Sequence, residues 1–237
     1  MKRNVLTLSV VSIAAVLLVT SLTGCLKNNN DSTQPGAAVS VLQASPSDAK
    51  MDLYFNTEKI NTNGPMTYPS AGYKSVKAGN YMFSLVNSAT GDTIVQRTDS
   101  LESSYYSLIV YDTGAATSMM LFPDQFQSAS TSGTFIRYLQ LSPDAGPVNF
   151  RIDTLLASDY RTFADNVTDP SRAIFDGIDQ GVYSFTALNA NTGDTLATLP
   201  SVTISPQQGA SAYTLILRGL ASHQDSLGLK LTLQANY

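Results

Sequence analysis

The side chain with the most definite chemistry in this chain is the thiol of Cys25. Lys2 and Arg3 open the sequence, an apolar stretch runs from Val5 to Thr20, and Leu22-Thr23-Gly24-Cys25 closes it. This is a charged start, a short apolar segment and small residues ahead of a cleavage point. Thr23 and Gly24 suit a peptidase that cuts just before the cysteine, and the thiol is the group there that forms a thioether with a diacylglycerol. Residues 1–24 are therefore expected to be a lipoprotein signal peptide and Cys25 the lipid-attachment site. A transmembrane anchor needs roughly 20 apolar residues, and the run here is shorter and ends in cysteine. Acyl chains such as palmitate add about 0.8 kcal/mol per buried methylene, and several together hold durably. Leu26, rather than an acidic residue, follows the cysteine, which points to the outer membrane.

No other group offers comparable chemistry. His223 is the sole histidine and lies in the polar stretch Ser222-His223-Gln224-Asp225-Ser226, expected to be a hairpin loop. Zinc coordination or a nucleophile–histidine pair needs partners that no spacing marks. Asp165, Asp169, Asp176 and Asp179, with Asn166 between them, form an acidic cluster, but it lacks the alternating carboxylate spacing and glycine of a calcium loop. It reads as a solvated loop, with a cation site or a hydrolase carboxylate pair as lesser alternatives. Tyr81 and Tyr183 sit two residues before Phe83 and Phe185, a period that points to core packing rather than a sugar platform. The segment from Asn61 to Tyr73 is rich in Tyr, Asn and Gly, the composition of adaptable binding loops, although an ordinary connecting loop is the simpler reading. Asp followed by Ser or Thr and then an aliphatic residue or Thr recurs at Ser32, Thr93, Ser100, Thr154, Thr195 and Ser226. These are candidate O-glycosylation triplets, although an Asp-Thr after a turn also simply starts a strand.

The elements that position these groups follow from composition and repetition. A formal charge of −4 argues against nucleic acid and against a polybasic membrane patch. With a single cysteine the exported part folds without disulfides. Residues 25–37 are polar with Pro and Gly, the composition of a flexible tether. Beyond them the chain repeats itself. Val39 to Pro46 matches Ile136 to Pro143, and the alternating Met51, Leu53, Phe55 matches Val148, Phe150, Ile152. Tyr73 to Phe83 matches Phe175 to Phe185, each copy continuing to Thr-Gly-Asp-Thr, and Tyr106 to Val110 matches Tyr213 to Leu217. Alternation marks strands, the Gly-Asp pairs mark hairpin turns, and the apolar runs mark central strands covered on both faces. The growing offset places small insertions in the second copy, within Ala157 to Ile174 and before Tyr213.

The fold class expected is all-β: two tandem immunoglobulin-like β-sandwich domains, 38–127 and 134–237, of about 95 residues and six or seven strands each. The short linker at Ser128 to Gly133 leaves the domains as close neighbours with some freedom.

Both copies resemble the bacterial domain-of-unknown-function family 4397. The resemblance rests on Ala44-Ser45-Pro46-Ser47-Asp48 with Met51 to Phe55, on Leu141-Ser142-Pro143-Asp144-Ala145 with Val148 to Phe150, and on the Gly-x-Tyr segments. Gln43 and Gln140 stand where members of that family often carry histidine, so no role of that histidine transfers. The resemblance implies an exported, Bacteroidota-like, often tandem sandwich module without an established activity.

Together these readings give a membrane-anchored, non-catalytic envelope module that needs no cofactor and binds an envelope protein or glycan. Glycan capture for polysaccharide uptake is the alternative among binding roles, and a hydrolase at Asp176 and Asp179 is the enzymatic one.

Overall fold

The computed structural model describes residues 36–125, 133–206 and 211–236. The segment expected to be a signal peptide, Cys25 and nearly all of the stretch read as tether lie outside the described residues, as does most of the expected linker. Among the described residues no helix is long and apolar enough to cross a membrane.

Nearly everything described is strand, as expected. The first half contains β1 (Gly36–Gln43), β2 (Met51–Phe55), β3 (Glu58–Lys59), β4 (Ser70–Lys77), β5 (Gly79–Asn87), β6 (Thr93–Leu101), β7 (Tyr105–Tyr111) and β8 (Ser118–Pro123). The second contains β9 (Thr134–Gln140), β10 (Val148–Ile152), β11 (Leu155–Arg161), β12 (Asp176–Gly177), β13 (Gly181–Asn189), β14 (Thr195–Ile204), β15 (Ser211–Arg218) and β16 (Lys230–Ala235). β1 opens inside the stretch read as tether.

Strand order repeats element for element. The first half forms sheets β4-β1-β7-β8 and β3-β2-β5-β6, and the second forms β12-β9-β15-β16 and β11-β10-β13-β14. In each half the first strand runs parallel to the seventh. Each half has eight strands rather than six or seven, because β3 and β12 span two residues and carry no periodic signal.

Period-two alternation builds the two cores. Val39, Val41, Leu108 and Val110 face Leu53, Phe55, Phe83 and Leu85 in the first, while Ile136, Tyr138, Leu215 and Leu217 face Val148, Phe150 and Phe185 in the second. The opposite faces of the sheets containing β1 and β9 meet each other. Leu42, Ile109, Met120 and Phe122 pack there with Leu139 and Ile216. This seam is why β7 and β15 are covered on both faces, and it joins the halves where the linker composition allowed freedom.

The repeated motifs have repeated structural roles. In the β5–β6 and β13–β14 hairpins, Gly91 and Gly193 both take φ +79°, as the Thr-Gly-Asp turns require. The side chains that hold these turns are Asn87 and Asn189. Each accepts two backbone N–H groups through Oδ1. The hydroxyls of Tyr81 and Tyr183 donate to the carbonyls of Lys77 and Asp179, four residues upstream. Gln43 and Gln140 are fully buried, and each accepts the N–H of the serine two residues on. Glutamine at these positions turns the chain at the end of β1 and β9.

Candidate functional site

The segment from Asn61 to Tyr73 becomes the β3–β4 connection and the start of β4. It encloses a cleft of about 370 Å3 lined by Ile60 to Met66, Val41 and Ser70 to Gly72. None of these side chains is charged. Val41, Ile60, Met66 and Ala71 supply apolar surface, while Asn61, Thr62, Asn63 and Ser70 supply amides and hydroxyls.

One side chain organises the loop. Asn61 Oδ1 accepts the N–H of Leu53 at 2.8 Å, and Asn61 Nδ2 donates to Gly64 O at 2.8 Å and to Asp52 Oδ1 at 2.9 Å. Asp52 is buried and pairs with Lys59 Nζ at 2.8 Å. Burial pushes the Asp52 carboxyl up, but the Lys59 ammonium and the Asn61 amide outweigh it and hold the group below its ordinary value. Met66 closes the loop by exchanging backbone hydrogen bonds with Met51.

The same connection in the second half is built differently. Between β11 and β12 the chain forms a one-turn helix, Asp165–Thr168, and a 3-10 turn, Pro170–Ala173. This is the site of the first expected insertion. The second falls on the β14–β15 connection, where residues 207–210 lie outside the described residues. Asn166 Nδ2 donates to Gln140 O, and Ala173 packs into the seam. The segment from Asn61 to Ser70 and the stretch that carries Asp165 and Asp169 are thus equivalent connections in the repeated strand order.

The acidic residues are dispersed among separate partners. Asp165 accepts from Thr162 and pairs with Arg172 at 3.0 Å, Asp169 accepts from Ser171, and Asp176 lies on β12. Burial raises the Asp165 carboxyl, while the Thr162 bonds and the nearby Arg172 lower it further, leaving it below the ordinary value. Among the described residues no group of three His, Cys, Asp or Glu side chains is placed to hold a metal ion. His223 lies in the β15–β16 loop, with Nδ1 at 3.4 Å from Asp225 Oδ1. Asp144 fixes that loop by accepting the N–H groups of Ala221 and Ser222 at 2.6 and 3.0 Å. Thr93, Ser100, Thr154, Thr195 and Ser226 of the triplets are all exposed, and Ser32 lies outside the described residues. Tyr81 and Tyr183 pack against the cores.

Sequence reading missed the polar centre of the seam. Arg137 is 1% exposed; its Nη1 donates to Asp124 Oδ1 at 2.8 Å, its Nε to Thr214 Oγ1 at 2.9 Å and its Nη2 to Ser107 Oγ. Thr214 donates to Asn236 Oδ1 at 2.7 Å, and the guanidinium sits 4.4 Å from the Phe175 ring centroid. At the cleft end of the seam, Arg218 Nη1 donates to Tyr68 Oη at 2.8 Å. The signal was present as departures from the repeat: Arg137 stands opposite Ser40 in the alignment, and Arg218 opposite Tyr111.

Residues 37–151 match the family described as Domain of unknown function (DUF4397). The matched stretch covers the whole first half together with β9 and β10. No curated protein matches the chain. Among solved structures, it is similar to the family 26 carbohydrate-binding module CBMbc from Eubacterium rectale Amy13K, in complex with maltoheptaose. The identity is 13%, the match covers 84% of this chain and 95% of that chain, and the TM-score is 0.24.

Proposed function

We propose that this chain is a non-catalytic binding module of the cell envelope, held in the outer membrane by lipid on Cys25, and that the cleft beside Asn61 takes its ligand. The observation that carries this reading is where the cleft lies relative to the point of attachment. The chain enters the fold at Gly36, at one end of β1. The cleft residues Ser70, Ala71 and Gly72 pair with Gln43, Leu42 and Val41 at the other end. At about 3.3 Å per residue, the cleft stands about 20 Å from the entry point, which suits a tethered receptor presenting its site away from the bilayer. The second half is proposed to be a diverged copy of the same module, supported by its identical strand order.

The anchor is tested by palmitate labelling and membrane fractionation of the wild type and Cys25→Ala. Label and membrane association lost in Cys25→Ala are the expected results; equal behaviour of the two proteins contradicts the anchor.

A glycan ligand is favoured by the cleft lining, since amides and hydroxyls over a small apolar floor suit neutral sugars. Screening neutral oligosaccharides against the wild type and Gly72→Trp tests this reading. A Cβ at Gly72 meets no heavy atom within 4 Å, and Gly72 lines the cleft, so a larger side chain starts there into open space.

A further inference from the structure

Two arginines project from the sheet of β9 and β15 toward the first half, and they are treated differently. Arg137 is paired with Asp124. Arg218, at the end of β15, is 7% exposed and has as its partners the Tyr68 hydroxyl and the Tyr68 ring, whose centroid lies 5.1 Å from its guanidinium carbon. Among the described residues no carboxylate pairs with it. A buried charge is costly unless it is paired, and Arg137 shows how this fold meets that requirement.

Beside Arg218 lies a cavity of about 190 Å3, walled by Leu42, Pro69, Ser70, Ala71, Ile216 and Thr232. The Nε and Nη2 groups are not among the buried side-chain atoms sealed without a partner. They therefore keep solvent contact next to this space. Ser70 and Ala71 line both this cavity and the cleft at Asn61 to Met66, so the two adjoin on either side of the start of β4.

We propose that the Arg218 cavity is a carboxylate-binding subsite. Nε and Nη2 form the edge of a planar fork that matches a carboxylate with two parallel hydrogen bonds, while Tyr68 holds Nη1 and fixes the plane of the guanidinium. The inference rests on the cleft being the ligand site and specifies its ligand class: a small organic acid with an uncharged polar body, the body lying on the uncharged cleft and the acid group on Arg218. A sugar acid meets both requirements.

Calorimetric titration of the solubilised full-length protein with glucuronate and with glucuronamide, in which an uncharged carboxamide replaces the carboxylate, tests the proposal. The expected result is at least tenfold tighter binding of glucuronate, a preference abolished in Arg218→Met and partly kept in Arg218→Lys, which retains charge without the fork. Equal binding of the two probes, or binding of neither, overturns the subsite. Equal binding that Gly72→Trp removes overturns the subsite while leaving the cleft in place. If Arg218 serves only to join the halves, Arg218→Met lowers the melting temperature and leaves the ratio of the two affinities unchanged. The comparison of probes on the wild type decides the matter even where a variant fails to fold.

Discussion

Arg137 and Asp124 meet at 2.8 Å across the seam with both side chains removed from solvent, and the repeat explains the pairing. The register of the sheets makes Ser107 equivalent to Thr214, Asp124 to Asn236 and Ser40 to Arg137. Each half thus brings the same three positions to the seam, the reciprocal contact pattern of a two-fold interface. The second pair of contacts obeys the same rule, since Tyr68 of the first β3–β4 connection meets Arg218 while Phe163 of the second meets Tyr111, at the equivalent place on β7.

Removing one partner of this pair strands a buried charge. Arg137→Met is expected to cost about 3–5 kcal/mol, read as a lowered denaturant midpoint. Adding Asp124→Asn, the residue already used at the equivalent Asn236, is expected to recover much of the loss. A double variant as unstable as the sum of the two single variants contradicts the assignment.

Acid stability reports on the cleft scaffold. The Asp52 carboxyl has its folded-state value held below the ordinary 3.8, so its stabilisation is fully present above about pH 4 and is lost as pH falls through the depressed value. Melting followed by circular dichroism from pH 7 to 2 is expected to show a decline in that acid range, made shallower by Asp52→Asn. An acid limb unchanged in Asp52→Asn removes this role.

Two glycines are expected to behave oppositely. Gly219 takes φ +93°, and a Cβ there meets Gly228 O at 2.2 Å. Gly219→Ala therefore carries about 1–3 kcal/mol of backbone strain together with a steric collision that must displace the β15–β16 loop. At Gly72 the space is open, and Gly72→Ala is expected to leave the melting temperature within a degree or two of wild type. Scanning calorimetry on both variants checks the contrast.

What the sequence made legible follows from periodicity. The alternation of Met51, Leu53 and Phe55 and the repeated Thr-Gly-Asp turns identify strands and hairpins from local residues alone. The apolar run Tyr106 to Val110 revealed that β7 has two covered faces. It did not reveal that the second face meets the other half, because a period of two says which residues are covered and not by what. Arg137, Asp124 and Arg218 were missed for the same reason. Arg137 and Arg218 sit at outward positions of strands whose inward faces carry the pattern, Asp124 lies just past the end of β8, and only comparison of the two copies marks them. The Asn61 to Tyr73 segment was legible as a loop from composition, but the cleft depends on Asp52 and Val41, which come from other strands.

The central claim is that an anchored module binds its ligand in the cleft beside Asn61. Its most direct test is a detergent-solubilised pulldown from the native envelope with wild type, Gly72→Trp and Cys25→Ala, with co-purifying proteins and glycans identified by mass spectrometry. The account predicts a defined ligand retained by wild type and lost from Gly72→Trp, whose melting temperature stays close to that of wild type, with Cys25→Ala absent from the membrane fraction. The same material recovered with Gly72→Trp as with wild type contradicts it.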